Sequence, residues 1–232
     1  MNNKKHKITF LTGWGFKSSV WSHSVIPAKA GIQKSSIKAI DSRFRRNDGG
    51  KSILIAWSLG GLYAIDLAYR FPERYQKIIF ISSLPKFVSD KKNHWRGISR
   101  KKAVNFYHQS KSDLAKLINN FLDWVQYPDD SLDIKNKLKN HILDINKSYN
   151  QKYLRKSLKV LFQKDYRERY QQLHQDIFHI FGDHDAIMPV NKITKQLKGK
   201  IYVIPGAGHS PFLTNPDSFL NILCEILYDK YI

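Results

Sequence analysis

Residues 52–61 read Ser-Ile-Leu-Ile-Ala-Trp-Ser-Leu-Gly-Gly, and this stretch decides the fold. Its first five residues form an apolar run that predicts a buried strand, and the amphipathic pattern over 59–71 predicts a helix. Ser58 stands between them in a sharp strand-to-helix turn, a strained geometry that presents a serine hydroxyl at the end of a sheet. The two glycines suit this turn because side chains there would crowd the strand against the helix. Ser58 is therefore the candidate nucleophile.

Two later strands end in loops that carry the partners such a serine needs. The predicted strand 176–181 is followed by Asp183 and Asp185, and the predicted strand 200–204 is followed by His209. The carboxyl ends of parallel strands lie along one edge of a sheet, where ligands bind. A histidine takes the serine proton, and a carboxylate orients the imidazole. We predict His209 as the base; either aspartate can be the acid, and we favour Asp185 because it lies at the far end of the turn.

The oxyanion formed during acyl transfer needs backbone N–H donors. One comes from the residue after the nucleophile, here Leu59. The early strand 8–11 has a glycine-rich exit, Thr-Gly-Trp-Gly-Phe at 12–16, which can supply a second donor from Trp14. The alternative for this exit is an ordinary glycine turn, but its position relative to the serine favours the donor.

Six motifs together resemble one family: Thr-Gly-Trp-Gly at 12–15, Ala-Trp-Ser-Leu-Gly-Gly at 56–61, Phe-Pro-Glu-Arg at 71–74, Ser-Ser-Leu-Pro-Lys-Phe at 82–87, Trp-Arg-Gly-Ile at 95–98 and Gly-His-Ser-Pro-Phe at 208–212. They are similar to the carboxylesterase family of biotin synthesis, which demethylates pimeloyl-acyl-carrier-protein methyl ester. The similarity covers most of the chain except roughly residues 24–50. Thr12 departs from the family, which usually has histidine there.

This resemblance implies an α/β-hydrolase with Ser58, Asp185 and His209 as the triad. It implies the backbone N–H groups of Trp14 and Leu59 as oxyanion donors. The expected architecture is a mostly parallel sheet with helices on both faces and an inserted helical cap. The core is expected over 1–85 and 173–232, and the cap over 86–172. Phe121 in the cap aligns with an aromatic residue of the family's substrate pocket.

The predicted cap is strongly basic. The chain has a net charge of +20, and residues 86–172 contribute 20 Lys and Arg against 9 Asp and Glu, a net +11. Such a surface would steer an acidic carrier protein toward the cap. In the resembling family, cap arginines hold the carrier; Lys116 aligns with one of them, and Lys135 and Lys139 lie near two others. The alternative is a lysine-rich surface that is only solvated.

Composition indicates one compact, soluble domain with a sizeable core. A single cysteine, Cys224, allows no internal disulfide, and no apolar run approaches the roughly 20 residues of a membrane span. The N-terminus shows no secretory signal, so we expect a cytoplasmic protein, and a monomer. The expected chemistry needs no cofactor or metal, and no motif indicates nucleic-acid binding.

Residues 24–50 do not fit the family pattern. They are basic and interrupted by Pro and Gly, and they resemble a translated bacterial palindromic repeat element inserted into the chain. In a hydrolase this interval supplies a helix, a strand and a second helix. Residues 36–40 are the candidate substitute strand, and without it we expect the sheet to lack an inner member.

We therefore predict a serine carboxylesterase that acts through an acyl-enzyme. One rival is another α/β-hydrolase that acts on small esters or peptides. A rival from a different class is a catalytically impaired basic binding protein, or a decayed product left by the insertion.

Overall fold

The computed structural model of the protein describes residues 7–23 and 52–228. The predictions made for residues 24–50, including the inserted element and the strand at 36–40, lie outside these ranges. In the parts of the chain that the structure describes, no helix combines the length and the apolarity needed to cross a membrane.

The described strands form one parallel sheet in the order of the chain. They are β1 (Ile8–Leu11), β2 (Ser52–Trp57), β3 (Tyr75–Ile81), β4 (Asp176–Gly182) and β5 (Lys200–Ile204). Every residue of β1 and β2 is buried, as expected for parallel strands covered on both faces. The four strands predicted from the sequence agree with β1, β2, β4 and β5 to within one residue, and the predicted fold class is confirmed.

The sheet separates two hydrophobic cores, because successive side chains of a strand point to opposite faces. Ile53 and Ile55 of β2 belong to the larger core, whereas Leu54 and Ala56 belong to the smaller one. Helices cover both faces, so burial on either side of β2 stabilises the same strand.

The helices that cover the sheet and form the cap follow in chain order. They are α1 (Val20–His23), α2 (Gly60–Arg70), α3 (Arg100–Ser112), α4 (Leu114–Gln126), α5 (Leu132–Asn140), α6 (Ser148–Gln163), α7 (Arg167–Gln171), α8 (Val190–Ile193), α9 (Pro211–Thr214) and α10 (Pro216–Tyr228). Helices α2 and α7 pack on the smaller core, and α10 packs on the larger one together with the cap. Helix α8 is short and gives way to a 3-10 turn at Thr194–Gln196.

Strand β1 pairs directly with β2. All four of its residues are paired, from Ile8 opposite Ile53 to Leu11 opposite Ala56. The sheet therefore has no gap between these two strands that a further strand could fill. The candidate strand at 36–40 lies outside the described residues, so the expected lack of an inner member stays a prediction.

The cap leaves the sheet after β3 and returns before β4. Helices α3, α4 and α5 are capped at their N-termini by Ser99, Asp113 and Ser131, whose side chains accept hydrogen bonds from backbone N–H groups of the first turn. The two ends of the insertion are joined by ion pairs: Lys86 with Asp165 at 2.8 Å, and Arg167 with Asp90 at 2.9 Å. These contacts hold the cap over the carboxyl edge of the sheet.

Candidate active site

Ser58 occupies a strained turn at the end of β2. Its φ is +52°, in the left-handed region that few residues other than glycine adopt. The turn is held from both sides, because the Ser58 N–H donates to the carbonyl of Ile81 at 2.9 Å and the Ser83 hydroxyl donates to the Ser58 carbonyl at 2.7 Å. Backbone strain of this kind persists only where the surroundings enforce it.

The two glycines after Ser58 allow a close approach of strand and helix, as predicted. A Cβ on Gly60 would lie 2.6 Å from the carbonyl oxygen of Leu11 in β1. A Cβ on Gly61 would collide with the Ser83 hydroxyl. Helix α2 can therefore start directly behind Ser58, which directs the serine toward the cap.

Asp185 and His209 are joined at the ends of β4 and β5. The Nδ1 atom of His209 lies 2.7 Å from Oδ2 of Asp185, and both side chains are fully buried. The other carboxylate oxygen accepts the backbone N–H groups of Ile187 at 2.8 Å and Met188 at 3.0 Å. The carboxylate is thus fixed by its own loop and presents one oxygen to the imidazole.

Asp183, the competing acid, makes different contacts. Its Oδ1 lies 2.6 Å from Nδ1 of His184 and accepts the backbone N–H of Gly206 at 2.7 Å. The hydrogen bond with His184 is the main reason that the pKa of Asp183 lies below its usual value. Asp183 is exposed and ties two loops together, whereas Asp185 is the aspartate that contacts His209.

The contact with Asp185 fixes the tautomer of His209. An ionised carboxylate only accepts hydrogen bonds, so Nδ1 carries the proton and the neutral ring keeps a lone pair on Nε2. That atom is buried and has no hydrogen-bond partner within residues 7–23 and 52–228. Ser58 and His209 line the same pocket, although no hydrogen bond joins their side chains. Such contacts commonly form only with substrate present.

The loop that carries His209 is pressed against the cap. The indole N–H of Trp57 donates to the His209 carbonyl at 2.9 Å, and the Ser210 hydroxyl donates to the carbonyl of Val125, in α4, at 2.9 Å. A Cβ on Gly208 would come within 1.7 Å of the carbonyl oxygen of Tyr127. The position of His209 therefore depends on both the sheet and the end of α4.

The predicted oxyanion donors flank this site. In the described ranges, the backbone N–H groups of Trp14 and Leu59 donate to no other acceptor. The Trp14 ring is buried, and its Nε1 donates to the carbonyl of Leu154 at 3.0 Å. Thr12, which replaces the family's histidine, donates its hydroxyl to the Phe16 carbonyl at 3.1 Å and so closes the loop that contains Trp14.

Comparisons with known proteins agree with this geometry. A family model described as the alpha/beta hydrolase fold matches residues 34–216. The chain belongs to the α/β-hydrolase family. It is 31% identical to the pimeloyl-[acyl-carrier protein] methyl ester esterase of Wigglesworthia glossinidia brevipalpis, over 93% of this chain and 91% of that protein. It is 30% identical to the esterase of the same name from Legionella pneumophila (strain Corby), over 95% of this chain and 94% of that protein.

A solved structure supports the fold. The esterase from Exiguobacterium antarcticum superposes on this α/β-hydrolase with a TM-score of 0.76 at 15% identity, covering 95% of this chain and 91% of the other. The two sequence relatives confirm the resemblance predicted from the motifs, since both carry the name of that family and match almost the whole chain.

The hydrolase has an aromatic pocket between the sheet and the cap. Its described lining consists of Trp14, Ser58, Phe87, Ile98, Lys102, Ala103, Phe106, Phe121, Trp124, Leu161, Phe162, Ile187 and His209. Phe121, the predicted pocket residue, lies in this lining and packs edge-on against Trp14 with ring centroids 5.1 Å apart. Ser58 and His209 thus face a predominantly apolar space.

Sequence reasoning missed Lys102 in this lining. Its Nζ donates to the carbonyl of Ala186 at 3.1 Å and lies 4.9 Å from the centre of the Trp124 ring. Burial lowers the pKa of Lys102, and the nearby Asp185 carboxylate partly opposes this. The sequence did offer one indication of this position. Lys102 and Phe106 are four residues apart on α3, which places both side chains on one face of the helix.

The three lysines predicted to bind a carrier lie outside the pocket. Lys116 on α4 and Lys139 on α5 are exposed and form no ion pair with another described residue. Lys135 is half-buried and forms an ion pair with Asp123 of α4. Its charge is thus partly neutralised within the cap, which distinguishes it from the other two.

Proposed function

We propose that this α/β-hydrolase is a serine carboxylesterase that removes the methyl group from an acyl ester linked to acyl carrier protein. The observation that carries the proposal is the buried hydrogen bond between His209 and Asp185 behind an apolar pocket that also contains Ser58. The names of the sequence relatives supply the substrate class, since both are esterases of a pimeloyl methyl ester held on the carrier.

The first half of the proposed reaction forms an acyl-enzyme. The hydroxyl oxygen of Ser58 attacks the ester carbonyl carbon while Nε2 of His209 takes the hydroxyl proton. Asp185 stabilises the resulting imidazolium through Nδ1. The carbonyl oxygen becomes an oxyanion, which the free N–H groups of Leu59 and Trp14 are proposed to hold. The C–O bond to the methoxy group then breaks, and His209 gives its proton to the departing methanol.

The second half releases the acid. A water molecule attacks the acyl-enzyme carbonyl, and His209 takes a proton from that water. The tetrahedral intermediate collapses by breaking the bond to Ser58, which recovers its proton from the imidazolium. The products are methanol and a carboxylate still attached to the carrier. The residues of this chain supply every proton transfer, and we propose no metal or cofactor.

The apolar lining fits the methylene chain of an acyl group. Phe106, Phe121, Trp124 and Phe162 surround the space that leads away from Ser58. Burying a methylene chain there is favourable by roughly 0.8 kcal/mol per CH₂. Such binding positions the ester next to the serine without requiring polar contacts along the chain.

The basic cap is the proposed docking surface for the carrier. Its net charge of +11 attracts an acidic protein over a distance of about one Debye length, roughly 10 Å at 0.1 M salt. We propose Lys116 and Lys139 as direct contacts because both are exposed and lack an ion-pair partner among the described residues. Lys135 contributes less, because Asp123 already pairs with it. We propose that the enzyme acts as a cytoplasmic monomer.

Methanol release from pimeloyl-acyl-carrier-protein methyl ester tests the proposal directly. Purified wild-type protein should release methanol, and Ser58→Ala should not. A p-nitrophenyl ester of a short acid separates the alternatives: turnover of this ester without turnover of the carrier ester would indicate an esterase of small substrates. Turnover of neither would favour a catalytically impaired protein. Growth of a biotin-requiring esterase mutant on expression of this chain tests the same function in cells.

A further inference from the structure

One charged side chain lies in the pocket. Of the thirteen residues that line it within the described ranges, Lys102 is the only Lys, Arg, Asp or Glu. Lys102 is half-buried, and an ammonium group that is partly removed from water needs partners, because burying a charge without them is costly.

The contacts of Lys102 leave part of its hydrogen-bonding capacity free. An ammonium has three donors, and one of them reaches the Ala186 carbonyl at 3.1 Å. The Trp124 ring, 4.9 Å away, stabilises the charge through its π face but accepts no conventional hydrogen bond. No carboxylate in the described ranges forms an ion pair with this lysine. Two N–H donors therefore have no partner among the described residues and are available to a molecule that enters the pocket.

The placement of Lys102 on its helix shows that the contact with the pocket is built in. Lys102 and Phe106 lie four residues apart on α3, so they share one face of the helix, and both line the pocket. The adjacent Lys101 is exposed, as lysines on α3 ordinarily are. The cap thus turns one lysine inward while its neighbour stays in solvent.

We propose that Lys102 is a specificity-determining residue that donates to a second acceptor oxygen of the acyl group, distinct from the ester that Ser58 attacks. The inference rests on the proposed esterase function and adds a selection rule to it. An acyl chain that ends in a methyl group would cover the ammonium and leave its free donors without acceptors. A chain with a carboxylate or a thioester carbonyl would satisfy them. Hydrogen bonds to charged groups are strong enough to favour such chains about 10-fold to 100-fold.

Three methyl esters of matched length test this selection: methyl heptanoate, monomethyl pimelate and the N-acetylcysteamine thioester of monomethyl pimelate. Wild-type kcat/KM should be about 10-fold to 100-fold higher for at least one of the last two than for methyl heptanoate. The last two together distinguish a carboxylate from a thioester carbonyl as the source of the acceptor. Equal kcat/KM for all three would overturn the inference without touching the esterase proposal. Turnover of none, together with no methanol release from the carrier-linked ester, would overturn the esterase proposal itself.

Variants separate selection from simple tethering of α3 to the Ala186 loop. Lys102→Met keeps most of the stem and removes the donors, so it should raise KM for the preferred ester by much more than it raises KM for methyl heptanoate. Lys102→Arg should keep the preference, and Lys101→Met should behave as wild type. A proportional loss on all three esters in Lys102→Met would mean that the lysine only holds the loop, which overturns the inference. If Lys102→Met does not fold, the preference of the wild-type enzyme among the three esters still tests the inference.

Discussion

The two walls of the pocket are built in different ways. On the sheet side, Ser58 and His209 are fixed by buried backbone contacts, a left-handed turn and glycines that permit only one approach. On the cap side, the lining is mostly aromatic, with rings that touch one another edge-on or at a tilt, such as Phe106 with Phe121 and Trp124. A ring contact tolerates small displacements, whereas a backbone clash does not.

This difference assigns separate tasks to the two walls. Reacting atoms must be held within a fraction of an ångström, which suits the sheet side. Substrate choice requires only shape and a few polar contacts, which suits the cap. Changes on the sheet side should therefore affect the rate for every ester, and changes on the cap should alter the preference among esters.

The largest expected effect is the loss of His209 or Ser58. His209→Ala or Ser58→Ala should lower kcat about a million-fold for every ester, because the members of such a triad act as one unit. Circular dichroism should show little change in fold. Ser58→Ala should also abolish covalent labelling by a fluorophosphonate, and undiminished labelling would remove Ser58 from the proposed role. As a cap-side control, Phe121→Leu should mainly change KM.

The second effect separates the two aspartates. Asp185→Asn should lower kcat about ten-thousand-fold, because an amide in place of the carboxylate favours the wrong tautomer of His209. Asp183→Asn is the matched control in the same loop and should cost only a few-fold, since Asp183 pairs with His184 on the surface. A larger loss in Asp183→Asn than in Asp185→Asn would reverse the assignment.

The sequence predicted the sheet side of the site better than the cap side, and the reason is physical. Strand patterns and glycines mark where β2, β4 and β5 end, and the order of polar residues after them depends on backbone geometry alone. The choice of Asp185 over Asp183 was already favoured, but the contact with His209 appears only in three dimensions.

Contacts between distant segments could not be read from periodicity. The pairing of Lys135 with Asp123 joins two cap helices, and the inward turn of Lys102 depends on where α3 meets the Ala186 loop.

A third prediction concerns how the free energy of unfolding depends on pH through the buried His179 of β4. His179 is fully buried between the rings of Phe80 and Phe181, and burial lowers its pKa to about 3. The unfolded chain binds the proton near pH 6.5, so the contribution of neutral His179 is complete above that pH. It falls by about 1.4 kcal/mol per pH unit as the pH drops from 6.5 toward 3.

Urea unfolding measured at pH 7, 6, 5 and 4 checks this dependence. His179→Phe keeps an aromatic ring in the stack and cannot bind a proton, so its free energy of unfolding should depend less on pH by that amount. Tyr170, which contacts Nε2 of His179 at 2.9 Å, keeps its contact with the Lys198 carbonyl in this variant. An unchanged slope would show that other groups cause the loss of stability in acid.

The smallest expected effect concerns the outer surface of the cap. Reversing Lys116, Lys135 and Lys139 to Glu should raise KM for the carrier-linked ester several-fold and spare a small free ester. The difference should shrink at 1 M salt, where the Debye length is about 3 Å. Reversal of Lys192 and Lys195, exposed lysines outside the cap, should change neither KM. Equal losses on both esters would mean that the cap lysines are only solvated.

Because Gly208 has no side chain, it restricts which segments of this enzyme can be exchanged in protein engineering. The backbone there passes so close to the Tyr127 carbonyl that any larger residue would displace either the histidine loop or the end of α4. A cap grafted from another hydrolase would therefore have to reproduce this contact before its own pocket could be used. For protein engineering, the practical unit of exchange is not the cap alone but the cap together with the segment that carries His209.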